Sequence, residues 1–131
     1  MKTFINFLKE EQCKLLEMAY GQLAVIERYA NDIFKDVDVK INITGGHFFD
    51  RINDLRNGKP IEKDEVKELF KLMHDKYGKA MANMNVGDEF VVFDHFNNIN
   101  IPFIVDKNHR LNTKTIMRKK NFLTRTKKFK V

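Results

Sequence analysis

Residues 89–105, EFVVFDHFNNINIPFIV, decide the fold class of this chain. Runs of β-branched and aromatic side chains on either side of an asparagine-rich turn are typical of two strands joined as a hairpin. A further turn and a further run of this kind follow directly. The predicted strands are Glu89–Phe93, Ile101–Val105 and Thr113–Arg118, with turns at Asn97–Asn100 and Lys107–Arg110. Such a series of hairpins predicts an antiparallel sheet.

Upstream of these strands, the apolar residues recur at helical spacing. The predicted helices are Thr3–Asn31, His47–Leu55 and Ile61–Tyr77, and Gly78 is expected to end the last of them. Residues 37–43, VDVKINI, alternate strictly between apolar and polar and predict one more strand. We therefore expect one α+β domain over residues 1–131, with N-terminal helices packed on one face of an antiparallel sheet of about four strands.

The overall composition is typical of a folded globular domain. The chain has 131 residues, 43% of them apolar, and its one cysteine, Cys13, excludes an internal disulfide and suits a reducing compartment. No apolar run reaches the length of a membrane span, and charged residues interrupt the first apolar stretch, so we expect neither a membrane partner nor a signal peptide.

The net charge of +6 is concentrated near the C-terminus. From Lys107 to Val131 there are ten lysine or arginine residues and no acid, a pattern that indicates a polyanionic partner. The candidate nucleic-acid-binding residues are Arg118, Lys119, Lys120, Arg125, Lys127 and Lys128. The alternative is a solvated basic tail or a generic solubility feature. Residues 121–131 are expected to form either a last basic strand or a basic tail.

A second group of candidate residues begins at a Gly-Gly joint in residues 45–51, GGHFFDR. His47 and Arg51 are one helical turn apart on the same face of the predicted helix. Histidine titrates near neutral pH, and arginine binds phosphate with paired donors. These are the groups that cut RNA without a metal, because one moves a proton and the other stabilises the phosphate. The candidate catalytic residues are His47, His74, Arg51 and Arg56.

Structural roles remain the alternative for the same four residues. His47 could cap its helix, His74 could be an exposed side chain favoured by the helix dipole, and the two arginines could pair with neighbouring aspartates. Other chemistries have weaker support, because no histidine or acid shows a recognised metal-binding spacing and the chain has no serine. We expect neither a metal nor another cofactor.

Two of these segments resemble a known family. HFFDRI at residues 47–52 and KELFKLMH at residues 67–74 resemble the RegB-type endoribonucleases of T-even bacteriophages. The His-x-x-x-Arg helix is also similar to that of the BrnT-type toxins, and both groups belong to the RelE-like ribonuclease superfamily. The resemblance implies a RelE-like fold of helices followed by an antiparallel sheet. It also implies metal-independent cleavage of mRNA through the 2′-hydroxyl, with His47 and His74 in the positions of important histidines.

The first ten residues, MKTFINFLKE, carry a separate resemblance. They are similar to the capsid-targeting peptides of the internal head proteins of T-even phages, which a prohead protease removes. That similarity makes Leu8 and Glu10 candidate processing residues, and it implies localisation in the virion interior and then in the host cytoplasm. The alternatives are an ordinary helix N-terminus and localisation in the host cytoplasm only.

Three functions therefore stay open. The first is a phage-encoded metal-independent endoribonuclease whose partner is RNA. The second is a non-enzymatic internal or accessory phage protein that binds DNA, another nucleic acid or a host protein through its basic C-terminal face. The third is a virion structural component that has the ribonuclease fold but no activity.

Overall fold

The computed structural model describes residues 21–43 and 46–131, with all their side chains except those of His47 and Leu55. The predicted processing residues, Leu8 and Glu10, and most of the predicted first helix lie outside this part. Helix α1 occupies residues 21–34 and continues past the predicted end at Asn31, because Phe34 extends its apolar face and is fully buried. A 3₁₀ turn, Lys35–Val37, follows directly.

Two further helices precede the main run of strands. Helix α2, Gly46–Ile52, is followed by a 3₁₀ turn at Leu55–Asn57, and helix α3 spans Lys63–Ala82. The prediction that Gly78 ends α3 is wrong. Gly78 is buried within the helix, and the good helix formers that follow it outweigh the roughly 1 kcal/mol that glycine costs in a helix.

The six strands form one mixed sheet rather than an antiparallel one. They are β1 (Lys40–Asn42), β2 (Glu89–Asp94), β3 (Ile99–Val105), β4 (Arg110–Thr113), β5 (Met117–Arg118) and β6 (Lys127–Lys130). The order is β1-β4-β3-β2-β6, and β5 also pairs with β3. The β2–β3, β3–β4 and β3–β5 pairs are antiparallel, whereas β1–β4 and β2–β6 are parallel.

The α+β class is thus confirmed, while the prediction of about four antiparallel strands is wrong. The two parallel pairs join segments that are far apart in sequence, such as Lys40 with Arg110, and local alternation carries no signal for that. Strand β1 is also shorter than the predicted residues 37–43, because Asp38 has a left-handed φ of 56° that interrupts the extended chain. Of the two alternatives for the C-terminal segment, a strand or a tail, the structure shows a strand at residues 127–130.

The core lies between α3 and the sheet face that carries Phe90, Phe103 and Phe129. Phe90 and Phe103 are paired across β2 and β3 and stack with centroids 5.1 Å apart. From α3, Phe70 packs edge-on against Phe103 at 6.2 Å, and Tyr77 packs against Phe129 at 4.9 Å. Among the described helices, none is long and apolar enough to cross a membrane.

Side chains of α1 cover the outer edge of β1. The Asn31 amide donates to the Ile41 carbonyl at 2.9 Å and accepts from the Ile41 N–H at 2.8 Å. The Glu27 carboxylate accepts from the Ile43 N–H at 2.8 Å. These bonds satisfy backbone groups that an edge strand would otherwise leave open to another chain.

A one-residue bulge divides the strand predicted over residues 113–118. Thr113 pairs with Phe103 in β4, whereas Met117 pairs with Asn100 in β5, so residues 114–116 contain one residue more than the facing segment of β3. An extra residue reverses which side chains face each side of a sheet. Accordingly, Thr113 faces the core before the bulge, and Ile116 and Arg118 face it afterwards.

Candidate nucleic-acid interface

A basic cleft of about 560 Å³ lies between the C-terminal end of α2 and the bulged segment that leads into β5. Its lining is Arg51, Asp54, Arg56, Asn57, Lys114, Thr115, Ile116, Met117, Arg118 and Lys119. Five of these side chains are cationic and one is acidic. The fold thus brings two predicted catalytic arginines, Arg51 and Arg56, together with two predicted nucleic-acid-binding residues, Arg118 and Lys119. We refer to this site as the basic cleft.

Asp54 organises the two arginines on the α2 side of the basic cleft. Its carboxylate accepts from Arg56 Nη2 at 2.8 Å and Nε at 3.1 Å, and from Arg51 Nη1 at 3.4 Å. The Arg56 hydrogen bonds lower the pKa of Asp54 to about 2, so this carboxylate is ionised near neutral pH. Arg51 and Arg56 remain 45% and 75% exposed. Their unused N–H groups are therefore accessible to a phosphate.

Arg118 forms the opposite wall and is almost completely occupied by the protein itself. Its guanidinium donates five hydrogen bonds, two to Glu65 and three to backbone carbonyls of Lys59, Pro60 and Asn97. Five is the number of N–H groups that an arginine has. The side chains of Arg118 and Glu65 are only 12% and 14% exposed. A contact from Arg118 to RNA would thus have to replace one of these bonds.

Glu65 is held as a carboxylate by the same contacts. Burial alone would raise the pKa of Glu65, but hydrogen bonds from Arg118 and from the Glu62 N–H outweigh it and hold the pKa below its ordinary value. The bulge in front of β5 makes this pairing possible, because it turns Arg118 toward the side of the sheet on which α3 lies.

Asn57 joins the two walls of the basic cleft. Its buried amide donates to the Arg51 carbonyl at 2.8 Å and accepts from the Arg118 N–H at 2.9 Å. The end of α2 and strand β5 are thereby fixed relative to each other. Sequence reasoning missed Asn57, since Asn57-Gly58 had the signature of an ordinary turn, and it missed Glu65, whose partner lies on a distant strand.

The other predicted nucleic-acid-binding residues are not all brought to this cleft: Lys119 belongs to its described lining, whereas Lys120, Arg125, Lys127 and Lys128 do not. Lys119 and Lys120 are exposed and have no ion pair in the described part of the chain, and Arg125 is likewise exposed. Lys127 and Lys128 lie over the rings of Phe129 and Phe93, at 4.8 Å and 4.3 Å. Lys119 lines the cleft, is exposed and has no ion pair among the described residues, so it is available to bind an anion.

The two predicted catalytic histidines have different positions. His47 belongs to α2, one turn before Arg51, but its side chain lies outside the described part of the structure. His74 does not line the basic cleft, since it follows Glu65 by nine residues along α3, or about 13 Å. Its Nε2 bonds Asp36 at 2.7 Å and its Nδ1 bonds Asp75 at 3.2 Å.

His74 links α3 to the 3₁₀ turn after α1 through the Asp36 carboxylate, whereas Asp75 is its neighbour on α3. Its ring also packs edge-on against Phe34, with centroids 5.2 Å apart. The Asp36 hydrogen bond raises the pKa of His74 above 6.5; partial burial opposes this, and Asp75 adds to it. His74 therefore favours the charged form and ties two elements together.

Replacing Asp36 with asparagine should weaken the dependence of stability on pH. Because the pKa of folded His74 is raised above 6.5, the stability from this pair is complete below that value and is lost as pH rises through the raised pKa. Asp36 is 66% exposed, so the effect is under about 1 kcal/mol. Urea midpoints on both sides of this window measure it, with Asp32→Asn as an exposed control. If the stability of Asp36→Asn falls across this pH window by as much as that of the unsubstituted protein, the prediction is contradicted.

Within the described residues, no group of three or more histidine, cysteine, aspartate or glutamate side chains is arranged to hold a metal ion. The described lining of the basic cleft supplies arginine and lysine side chains, which bind anions. Comparison with protein-family models, with curated proteins and with solved structures gives no match for this chain. Its function must therefore be argued from the site itself.

Proposed function

We propose that the protein binds RNA in the basic cleft and cleaves it without a metal ion, by attack of the 2′-hydroxyl on the adjacent phosphate. The observation that carries the proposal is that Arg51, Arg56 and Lys119 line one cleft and keep donors for a phosphate. Such donors stabilise the charge that develops on the phosphate during transfer. The RegB-like order of a histidine and an arginine on α2 supports the same reaction.

Within this proposal, His47 takes the proton of the attacking 2′-hydroxyl and returns it to the 5′-oxygen, which leaves as its bond to phosphorus breaks. It lies on the helix that supplies Arg51 to the cleft, and histidine is charged or neutral according to small changes near neutral pH. His74 is assigned no step, because carboxylates engage both of its ring nitrogens away from the cleft. Arg118 holds the β5 wall of the basic cleft in position. Lys119, with Lys120 beside it in the chain, binds the RNA backbone next to the cleaved phosphate.

The proposed setting is that of a phage protein acting on RNA in the host cytoplasm. Support comes from the resemblance of residues 47–74 to RelE-like ribonucleases and of residues 1–10 to capsid-targeting peptides. If residues 1–10 act as such a peptide, with Leu8 and Glu10 at the processing site, the protein is carried in the virion and enters the cell with the DNA.

Replacing Lys119 with alanine should weaken RNA binding and reduce its salt dependence. For single-stranded RNA, removing one cation that neutralises a phosphate lowers the slope of log affinity against log salt by about 0.7. Titrations of labelled single-stranded RNA at several salt concentrations measure both quantities. Lys107→Ala is the matched control, because Lys107 is exposed in the β3–β4 turn and outside the cleft lining. Equal slopes for the two variants would exclude a phosphate contact at Lys119.

A second candidate function is nucleic-acid or host-protein binding without catalysis. The observation that favours it is the composition of the cleft, whose described lining includes no histidine and only one acid, Asp54. With its pKa lowered to about 2, Asp54 cannot exchange a proton efficiently near neutral pH. Binding without any cleavage of RNA in EDTA would favour this function.

A further inference from the structure

The turn between β2 and β3 presents an aromatic ring to solvent. Phe96 is 78% exposed, although most phenylalanines of the described chain are buried in the core. The turn lies at the end of the sheet to which β5 also belongs, since Ile99 pairs both with Asp94 in β2 and with Arg118 in β5. The turn that carries the exposed ring is therefore next to the strand that forms one wall of the basic cleft.

The Phe96 ring is held in place rather than simply left outside the core. Buried Asp94 accepts the Phe96 N–H at 3.0 Å and the Asn97 N–H at 3.3 Å, which fixes the backbone of the turn. The His95 ring packs against Phe96 with centroids 4.1 Å apart. His95 Nδ1 is in turn hydrogen-bonded to the Val131 carbonyl at 2.8 Å. A ring fixed in this way loses little conformational entropy when a flat ligand stacks on it.

Direct hydrogen bonds join this turn to the cationic segment of the cleft. The Lys119 N–H donates to the Asn98 carbonyl at 2.8 Å, and Arg118 Nη1 donates to the Asn97 carbonyl at 2.7 Å. On the other side of the turn, exposed Lys130 pairs with Phe93, next to Asp94. The turn that carries Phe96 thus adjoins, on its two sides, segments that bear the exposed lysines Lys119 and Lys130.

We propose that Phe96 is a stacking platform for a base of single-stranded RNA whose backbone continues from the basic cleft past Lys119. This inference rests on the proposed function and specifies its substrate as unpaired RNA. Aromatic rings beside cations bind single strands because every unpaired base offers a face for stacking and every phosphate a charge. A duplex does not fit this platform, since its bases already stack on one another.

The test is binding of a fluorescein-labelled oligoadenylate with 2′-O-methyl groups, which cannot be cleaved through the 2′-hydroxyl. Phe96→Ala should weaken binding about tenfold, a typical loss for one stacked base. Phe96→Trp should restore it, because stacking needs a flat ring rather than phenylalanine itself. Val86→Ala is the control, since Val86 is also exposed, at 47%, but lies outside the turn and the cleft.

The outcomes separate this inference from the function on which it rests. Loss in Phe96→Ala, recovery in Phe96→Trp and no change in Val86→Ala support the platform. If Lys119→Ala weakens binding while Phe96→Ala does not, the platform is overturned and RNA binding by the cleft is retained. If the unsubstituted protein binds neither this probe nor unmodified oligoadenylate, both proposals are overturned.

Discussion

Replacing Arg118 with alanine is expected to lower the free energy of unfolding by about 3–5 kcal/mol, the usual cost of removing one partner of a buried ion pair. The substitution leaves the Glu65 carboxylate, only 14% exposed, without its cation. It also removes the donor from three backbone carbonyls. Urea unfolding followed by circular dichroism measures the change, since the chain has no tryptophan.

The control for this prediction is Arg125→Ala. Arg125 is exposed and forms no ion pair with another residue of the ranges 21–43 and 46–131, so its loss should leave stability nearly unchanged. Replacing both Glu65 and Arg118 with methionine should lower the free energy of unfolding less than Arg118→Ala does, because no unpaired charge is left behind. An Arg118→Ala protein that unfolds at the normal urea concentration but no longer binds RNA would show that Arg118 acts on the ligand instead.

Replacing His47 with alanine is expected to reduce RNA cleavage by about a hundredfold or more, while the melting temperature stays nearly the same. A positioned histidine that moves a proton in the transition state contributes about 10²–10⁴-fold to a rate. Cleavage is measured on mixed mRNA in EDTA, and the fragment ends are identified. Transfer through the 2′-hydroxyl leaves 2′,3′-cyclic phosphate or 3′-phosphate ends, which a metal-dependent nuclease acting with water does not leave.

The matched control is His109→Asn. His109 is exposed in the β3–β4 turn, far in sequence from α2, and its left-handed φ of 59° is one that asparagine tolerates. This variant should cleave RNA at the normal rate. A large fall in melting temperature for His47→Ala would assign His47 a structural role, and undiminished cleavage would exclude it from the reaction.

The elements that could be predicted from sequence are those whose stability is mainly local. The strands on either side of the turn, which lies at residues 95–98 rather than at the predicted 97–100, and the amphipathic helix α3 follow from side-chain alternation and helical spacing, and they exist in the structure. Gly78 was misleading because a glycine that ends a helix usually adopts a left-handed conformation, whereas this one stays helical. The two parallel strand pairs depend on packing between distant segments, which no local pattern reveals.

The residue types of the candidate site could be predicted from the sequence. Which of these residues stabilise the fold and which remain available to a ligand could not. Charge alone cannot distinguish Arg118, which the protein's own carbonyls and Glu65 surround, from Lys119, which is exposed and has no ion pair in the part of the chain that the structure describes. Nor does sequence show that Asp54 lies between Arg51 and Arg56, since ion pairs depend on where side chains point. The histidines carried the same ambiguity, and for His74 the bonds to Asp36 and Asp75 now identify structural partners.

The bulge between β4 and β5 sets a rule for how the length of this segment can vary. Surface segments usually tolerate insertions and deletions, yet here a deletion of one residue between Thr113 and Arg118 would turn the guanidinium to the far side of the sheet and leave Glu65 alone. Insertion or deletion of two residues would leave Arg118 on the same side of the sheet. Homologues of this chain should therefore vary in the identity of residues 114–116 more freely than in their number. Selection should thus act on the length of this segment rather than on its side chains.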